Sequence, residues 1–162
     1  AHALDGAIGK ENKLLWKLPR DLGYFKIHTT HEIVMMGHNT FKSLPFENGL
    51  PRRKNYVICS ELSGLQNDKW VAIKGVDKLK KMCMDRTSVF SNEDVWVIGG
   101  KSIYEQMEHL IDEWHISEVQ SKFPDADTFY KPDLTDFEKV GEEIDVSSDE
   151  LEAFVQVWRR KK

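Results

Sequence analysis

At 162 residues, with 40% hydrophobic and 31% charged side chains, the chain has the size and composition of one ordinary globular domain with a substantial core. Its formal net charge of −4 argues against nucleic acid as a partner, because phosphate recognition calls for a basic face. No apolar run is long enough to span a bilayer and no leader pattern stands at the start, so a cytoplasmic protein without membrane contact is expected.

Ala1-His2-Ala3-Leu4 reads as a strand, and Asp5-Gly6-Ala7-Ile8-Gly9 as a turn leading into a mobile loop that runs to Leu15. Pro19 suits the first turn of a helix over residues 19–29, where its missing N–H is not needed. Within that helix Asp21, Leu22 and Phe25 share a side, which the two apolar residues should turn inward. An acid there either complements the helix dipole or waits for a cationic or hydrogen-bonding ligand. Ile33-Val34-Met35-Met36-Gly37 is a continuous apolar run, the mark of a strand buried on both faces of a parallel sheet. Residues 38–44 read as a short helix whose start is able to offer free N–H groups to a phosphate. Residues 45–53 form a loop. Residues 55–59 and 70–73 are further buried strands, and residues 76–84 a helix with one apolar face.

Residues 95–100 read as a strand ending in Gly99-Gly100, followed by a helix over 102–110 and a strand over 113–119. Residues 137–144 and 154–158 make a final antiparallel pair. Strands alternating with helices, then strands alone, predict the α/β class. The expected fold is a single domain over residues 1–162, with a mixed, mostly parallel sheet flanked by helices and an antiparallel C-terminal edge.

In open α/β sheets ligands bind beyond the carboxyl ends of the strands. Gly37-His38-Asn39-Thr40, Cys59-Ser60 and Gly99-Gly100-Lys101-Ser102 fall there. A strand running into Gly-Gly and then a helix suits a pyrophosphate, although the G-x-G-x-x-G fingerprint is absent and each glycine element alone is most simply a tight turn. The six histidines show no metal-ligand spacing, so no metal is expected. His28 and His31 read as surface residues, and only His38 stands at a candidate phosphate site. Cys59 and Cys83 form no redox or metal motif and read as reduced, buried small hydrophobes. The clusters Lys78-Leu79-Lys80-Lys81 and Glu142-Glu143 read as solvated faces.

An ordered set of motifs then resembles the dihydrofolate reductase family. Ile8-Gly9-Lys10-Glu11-Asn12, then Trp16-Lys17-Leu18-Pro19-Arg20-Asp21-Leu22 with Phe25, look like its front half. Met36-Gly37-His38-Asn39-Thr40-Phe41-Lys42-Ser43, Leu50-Pro51-Arg52-Arg53-Lys54-Asn55, Val97-Ile98-Gly99-Gly100-Lys101-Ser102-Ile103-Tyr104 and Ala126-Asp127-Thr128-Phe129 continue it in the family's order. The last forty residues match only loosely.

The resemblance implies reduction of 7,8-dihydrofolate by NADPH in a monomer that also binds antifolates. Asp21 would hold the pterin, with Trp16 and Ser117 keeping the polar network around it. Leu22, Phe25, Leu44 and Leu50 would grip the pterin and aminobenzoyl rings. Arg53 would pair with the substrate's glutamate carboxylate, a task suited to its planar fork. Ile98 and Tyr104 would line the space where pterin meets nicotinamide. Ala1, Ile8 and Gly9 would contact the nicotinamide. Gly37, His38, Asn39, Thr40, Ser60, Gly99, Gly100, Lys101, Ser102 and Ile103 would hold the rest of the cofactor, with a cis Gly99–Gly100 bond. Residues 9–15 would close over the nicotinamide.

The departures are Leu15, where many members have proline, and His38, which replaces a usual arginine and offers a switchable charge. Lys101 replaces a small residue and adds a charge, residues 45–49 form a longer loop, and the family's first strand begins several residues before Ala1. Two other readings compete. The reductase domain of riboflavin biosynthesis shares the fold and NADPH, but Asp21 and Arg53 in their motifs speak for pterin and glutamate. A non-catalytic relative would not need Asp21, Trp16, Arg53 and Gly99-Gly100 together.

Overall fold

The computed structural model describes residues 1–60, 68–85, 90 and 92–162. In chain order the elements are β1 (His2–Ala3), β2 (Ala7–Gly9), α1 (Pro19–Thr29), β3 (Ile33–Gly37), α2 (His38–Ser43), β4 (Lys54–Cys59), β5 (Val71–Lys74) and α3 (Val76–Met84). There follow β6 (Val95–Val97), α4 (Lys101–Met107), a 3₁₀ turn (Glu108–Leu110), β7 (Glu113–Val119), β8 (Thr128–Phe129), β9 (Phe137–Asp145) and β10 (Ala153–Arg160). The chain packs as two compact units, one made of Ala1–Ile27 with Glu108–Lys162 and the other of His28–Met107.

The first unit carries a four-stranded sheet in the order β1-β7-β10-β9, with a separate pair of β2 and β8. β1 runs parallel to β7, while β7–β10, β10–β9 and β2–β8 are antiparallel. Its core forms around Leu18, Val119, Val146, Ala153 and Val155, with Trp16, Tyr24, Phe123 and Leu151 packed against them. Each fully buried Val or Leu of this kind contributes about 1.5–3 kcal/mol. β9 is an edge strand with most positions exposed, and its charges at Glu138, Lys139, Glu142 and Glu143 suit an edge that must not pair further.

The second unit is a four-stranded, wholly parallel sheet in the order β5-β4-β3-β6. β3 lies inside it, and Ile33, Val34, Met35 and Met36 are all buried, as a two-faced parallel strand requires. Leu79 of α3 and Ile103 and Met107 of α4 are the buried residues of their helices. The C-terminal ends of β3 and β6 are tied by Ile98 N–H donating to the Met35 carbonyl at 3.0 Å and Gly37 N–H donating to the Gly99 carbonyl at 2.8 Å. That bond brings the two predicted glycine elements side by side.

Several local expectations are corrected. Residues 7–9 are a strand, not a turn, because their backbone pairs with the two-residue β8. Cys83 is exposed although Cys59 is buried, since only Leu79 is fully buried on its helix. His28 is half-buried with its ring edge-on to Trp96, at 5.9 Å between centroids, while His31 is exposed. The side of α1 that carries Leu22 does not turn inward, because Leu22 is 53% exposed. No described helix is long and apolar enough to cross a membrane.

Candidate active site

In the first unit the site begins at a join between helix and strand. Asp21, in the first turn of α1, accepts a hydrogen bond from the Ser117 hydroxyl of β7. Ser117 is 6% exposed and Asp21 half-buried, so the carboxylate stands at the margin of the interior with one oxygen satisfied. Its other oxygen, Oδ2, accepts no hydrogen bond from the described residues. The acid thus has a neutral hydrogen-bond partner within the chain, which fixes its direction. Trp16 stands nearby in the sequence with its ring 5.4 Å from Phe123, and no hydrogen bond joins its indole to Asp21 among the described residues. Phe25 is half-buried on the same helix.

A second rung joins the same helix and strand one turn further on. The Tyr24 hydroxyl lies 2.6 Å from His115 Nδ1, His115 Nε2 lies 2.7 Å from Glu113 Oε1, and Arg159 Nε donates to Glu113 Oε2 at 3.2 Å. Burial, with the Glu113 and Asp21 charges, pushes the Tyr24 phenol up to about 12, so it stays protonated. Burial works to raise the Glu113 carboxyl, but the hydrogen bonds it accepts from His115 and Arg159, with the Arg159 charge beside it, outweigh this and hold it low.

Ile8 and Gly9 lie on β2, and the segment after them is pinned where the Glu11 N–H donates to Asp127 Oδ2 at 2.8 Å. Lys10 and Lys13 form a bridge across the bend, with Glu11 and Asn12 at positive φ. Ala1 is exposed beside β1.

In the second unit the glycines form a cradle. The Gly99–Gly100 peptide is cis, as the resemblance implied. A Cβ on Gly99 would stand 3.3 Å from the Tyr104 hydroxyl and 3.7 Å from Thr40 Oγ1, and one on Gly37 would stand 3.2 Å from Ile103. Gly99, at φ 123°, would be strained with a side chain and Gly37 would be crowded, so bare backbone is what this cradle offers a ligand. Gly37 precedes α2 with no side-chain cap on its N–H groups. The His38 ring stacks on Phe41 at 6.4 Å between centroids, and Phe41 meets Trp70 at a tilt of 43°, 4.6 Å between centroids. Asn39 and Ser60 are exposed. The Ser102 hydroxyl accepts a bond from Gln106 at 2.8 Å, and Lys101 shares its charge with Glu105 at 3.8 Å. Burial pushes the Tyr104 phenol up to about 12.

The loop before β4 borders an open groove of about 610 Å³ lined by Phe46, Leu50, Arg52, Arg53 and Lys69 among others. Arg53 is held in place, its Nε donating to Thr29 Oγ1 at 3.2 Å and its Nη1 to the Pro51 carbonyl at 2.8 Å. Leu44 is half-buried, Leu50 buried and Ile98 half-buried. No group of three or more metal-ligating side chains occurs among the described residues.

A family model for dihydrofolate reductase matches residues 1–160. The chain belongs to the dihydrofolate reductase family. A putative dihydrofolate reductase of Caenorhabditis elegans is 30% identical over 161 residues, covering 93% of this chain and 84% of that protein. The dihydrofolate reductase of Staphylococcus aureus is 31% identical over 172 residues, covering 99% and 96%. A solved structure of the enzyme from Enterococcus faecalis, complexed with NADP(H) and RAB-propyl, shares the fold at a TM-score of 0.81. It is 24% identical and the match covers 99% of this chain and 93% of that one.

Sequence reasoning missed Tyr24, His115 and Asn55. Glu113, His115 and Ser117 alternate along β7 and so point to one face, while Asp21 and Tyr24 sit at i and i+3 on α1. Those two periods were the available signal.

Proposed function

We propose that Asp21 is the carboxylate that holds the pterin of 7,8-dihydrofolate, and that the glycine cradle of the second unit receives the pyrophosphate of NADPH. The reaction is the family's: 7,8-dihydrofolate is reduced to 5,6,7,8-tetrahydrofolate, with NADPH when bound supplying the hydride. The observation that carries the site assignment is the Ser117 bond to a half-buried Asp21. A carboxylate aimed by a neutral hydroxyl keeps its charge for the amidine-like edge of the pterin, and so favours the ring protonated beside the carbon that accepts hydride.

Trp16 and Ser117 keep that network in place, and Leu22, Phe25, Leu44 and Leu50 supply apolar contact to the two rings of the substrate. The exposure of Leu22, 53%, suits a side chain that meets a ligand instead of the core. Arg53 takes the glutamate carboxylate, its guanidinium already oriented by Thr29 and Pro51. Ile98 and Tyr104 line the pterin–nicotinamide space, and Ala1, Ile8 and Gly9 contact the nicotinamide. Gly37, Asn39, Thr40, Ser60, Gly99, Gly100, Ser102 and Ile103 bind phosphates and ribose through backbone and hydroxyls. His38 and Lys101 meet the 2′-phosphate. The fit is supported by the glycines, whose missing side chains leave backbone as the binding surface.

One chain carries every role named, in keeping with a monomer, and two free cysteines fit the reducing cytoplasm. There the product would serve one-carbon transfer and thymidylate synthesis. The loss of NADPH absorbance on adding dihydrofolate, with and without methotrexate, tests the reading. Turnover that methotrexate stops is expected. NADPH binding without turnover would favour a riboflavin-type substrate or a binding protein.

A further inference from the structure

We propose that His115 is a positioning residue for the reduction, acting through Tyr24 to fix the turn of α1 that carries Asp21. The inference rests on the reading of Asp21 as the pterin carboxylate.

The geometry is that of two rungs between one helix and one strand. Asp21 meets Ser117, and three residues further along α1 Tyr24 meets His115, two residues earlier on β7. The rungs are separated by about 4.5 Å along a helix and about 6.6 Å along a strand. A single rung leaves the helix free to roll about it; two set its position and its rotation together.

The second rung is itself anchored. Arg159 of β10 lies directly opposite Glu113 of β7 in the sheet register and donates to its Oε2. Glu113, held low by His115 and Arg159, is the natural acceptor for the proton on His115 Nε2, 2.7 Å away. In the tautomer with Nε2 donating to Glu113, the Nδ1 lone pair faces the Tyr24 hydroxyl 2.6 Å away, and that protonated hydroxyl donates to it. Each member thus dictates the role of the next, from Arg159 through Glu113 and His115 to Tyr24.

The packing of Tyr24 does not depend on this bond. Its ring already lies against the core cluster of Leu18, Val119, Val146, Ala153 and Val155. The hydroxyl adds direction, and direction is what a carboxylate near a reacting ring needs, because small misplacements of a binding group lower rates steeply.

The test measures single-turnover hydride transfer and NADPH affinity in the full chain. Tyr24→Phe removes only the phenolic O–H, and His115→Leu removes the acceptor. Each is expected to slow hydride transfer about tenfold, the scale of one lost hydrogen bond, with NADPH affinity unchanged. The double variant should be no slower than either single one, since both cut the same chain. His115→Asn keeps an acceptor at the δ position and should restore most of the rate; a merely structural histidine would show no such rescue. Asp21→Asn is measured alongside. If it is slow while Tyr24→Phe matches the parent, the positioning role is overturned and the Asp21 reading stands. If Asp21→Asn itself matches the parent, both fall.

Discussion

Asn55 and Leu50 close a hydrogen-bonded ring, with the Leu50 N–H donating to Asn55 Oδ1 and Asn55 Nδ2 donating to the Leu50 carbonyl, each at 2.9 Å. The same Nδ2 donates to the Arg53 carbonyl at 3.2 Å, and Asn55 is 3% exposed. A side chain on β4 therefore sets the backbone of the loop that carries Leu50 and Arg53, the residues proposed to meet the substrate. The loop passes so close that a Cβ on Gly49, at φ 86°, would lie 2.5 Å from Asn55.

Asn55→Leu should cost about 2–4 kcal/mol of stability, because it strands the buried donor and acceptor of Leu50. It should also raise the KM for dihydrofolate more than that for NADPH if Leu50 and Arg53 meet the substrate as proposed. Urea unfolding and the two KM values check this. Parallel rises in both KM values would contradict the assignment of the loop.

Asp21→Asn should keep the fold, because the amide oxygen can still accept from Ser117. It should remove most hydride transfer at neutral pH, because a neutral group cannot stabilise a protonated pterin. Circular dichroism and single-turnover rates separate the two effects, and a rate close to the parent's rejects the role.

Gly99→Ala should weaken NADPH binding about tenfold or more while the core of the second unit stays intact. At φ 123° a side chain is strained, and its Cβ would press on the Tyr104 hydroxyl at 3.3 Å. Fluorescence titration with NADPH measures the loss; unchanged affinity would show that the cradle does not meet the cofactor.

Glu113 gives a prediction in pH. His115 and Arg159 hold its carboxyl below the ordinary value despite burial, so the folded state binds that proton less tightly than the unfolded chain. Its stabilising contribution is complete above about pH 4.3, the unfolded value, and is lost as pH falls through the lowered folded one. Thermal midpoints of the parent should therefore drop below that pH more steeply than those of Glu113→Gln. Curves that stay parallel from pH 7 to pH 3 would remove Glu113 from the account.

Segments long enough to show a period were legible in the sequence. The apolar run Ile33–Gly37 and the helix Pro19–Thr29 with its leading proline occupy the residues expected of them. Ala7–Gly9 and Thr128–Phe129 were not legible, because strands of three and two residues have no period and exist through their mutual pairing. Leu22 misled because an exposed apolar residue on a helix has the same sequence pattern as one turned to the core. Tyr24 and His115 are separated by 91 positions, and nothing local marks either as the other's partner. The glycines were easier to read, since Gly37 and Gly99 each end an apolar run.

The last strand in the chain is an inner strand in space. β10 lies between β7 and β9, and these two bond to it and not to each other. A chain leaving the ribosome holds all four strands of the His28–Met107 sheet well before residues 153–160 exist, so that sheet can form while the other waits. Until then β9 has no neighbour, and β7, the strand that presents Ser117 to Asp21, pairs only with the two residues of β1. Ser117, the partner of Asp21, therefore lies on a strand whose only long neighbour is β10, so the bond that directs a carboxylate on α1 depends on residues 153–160.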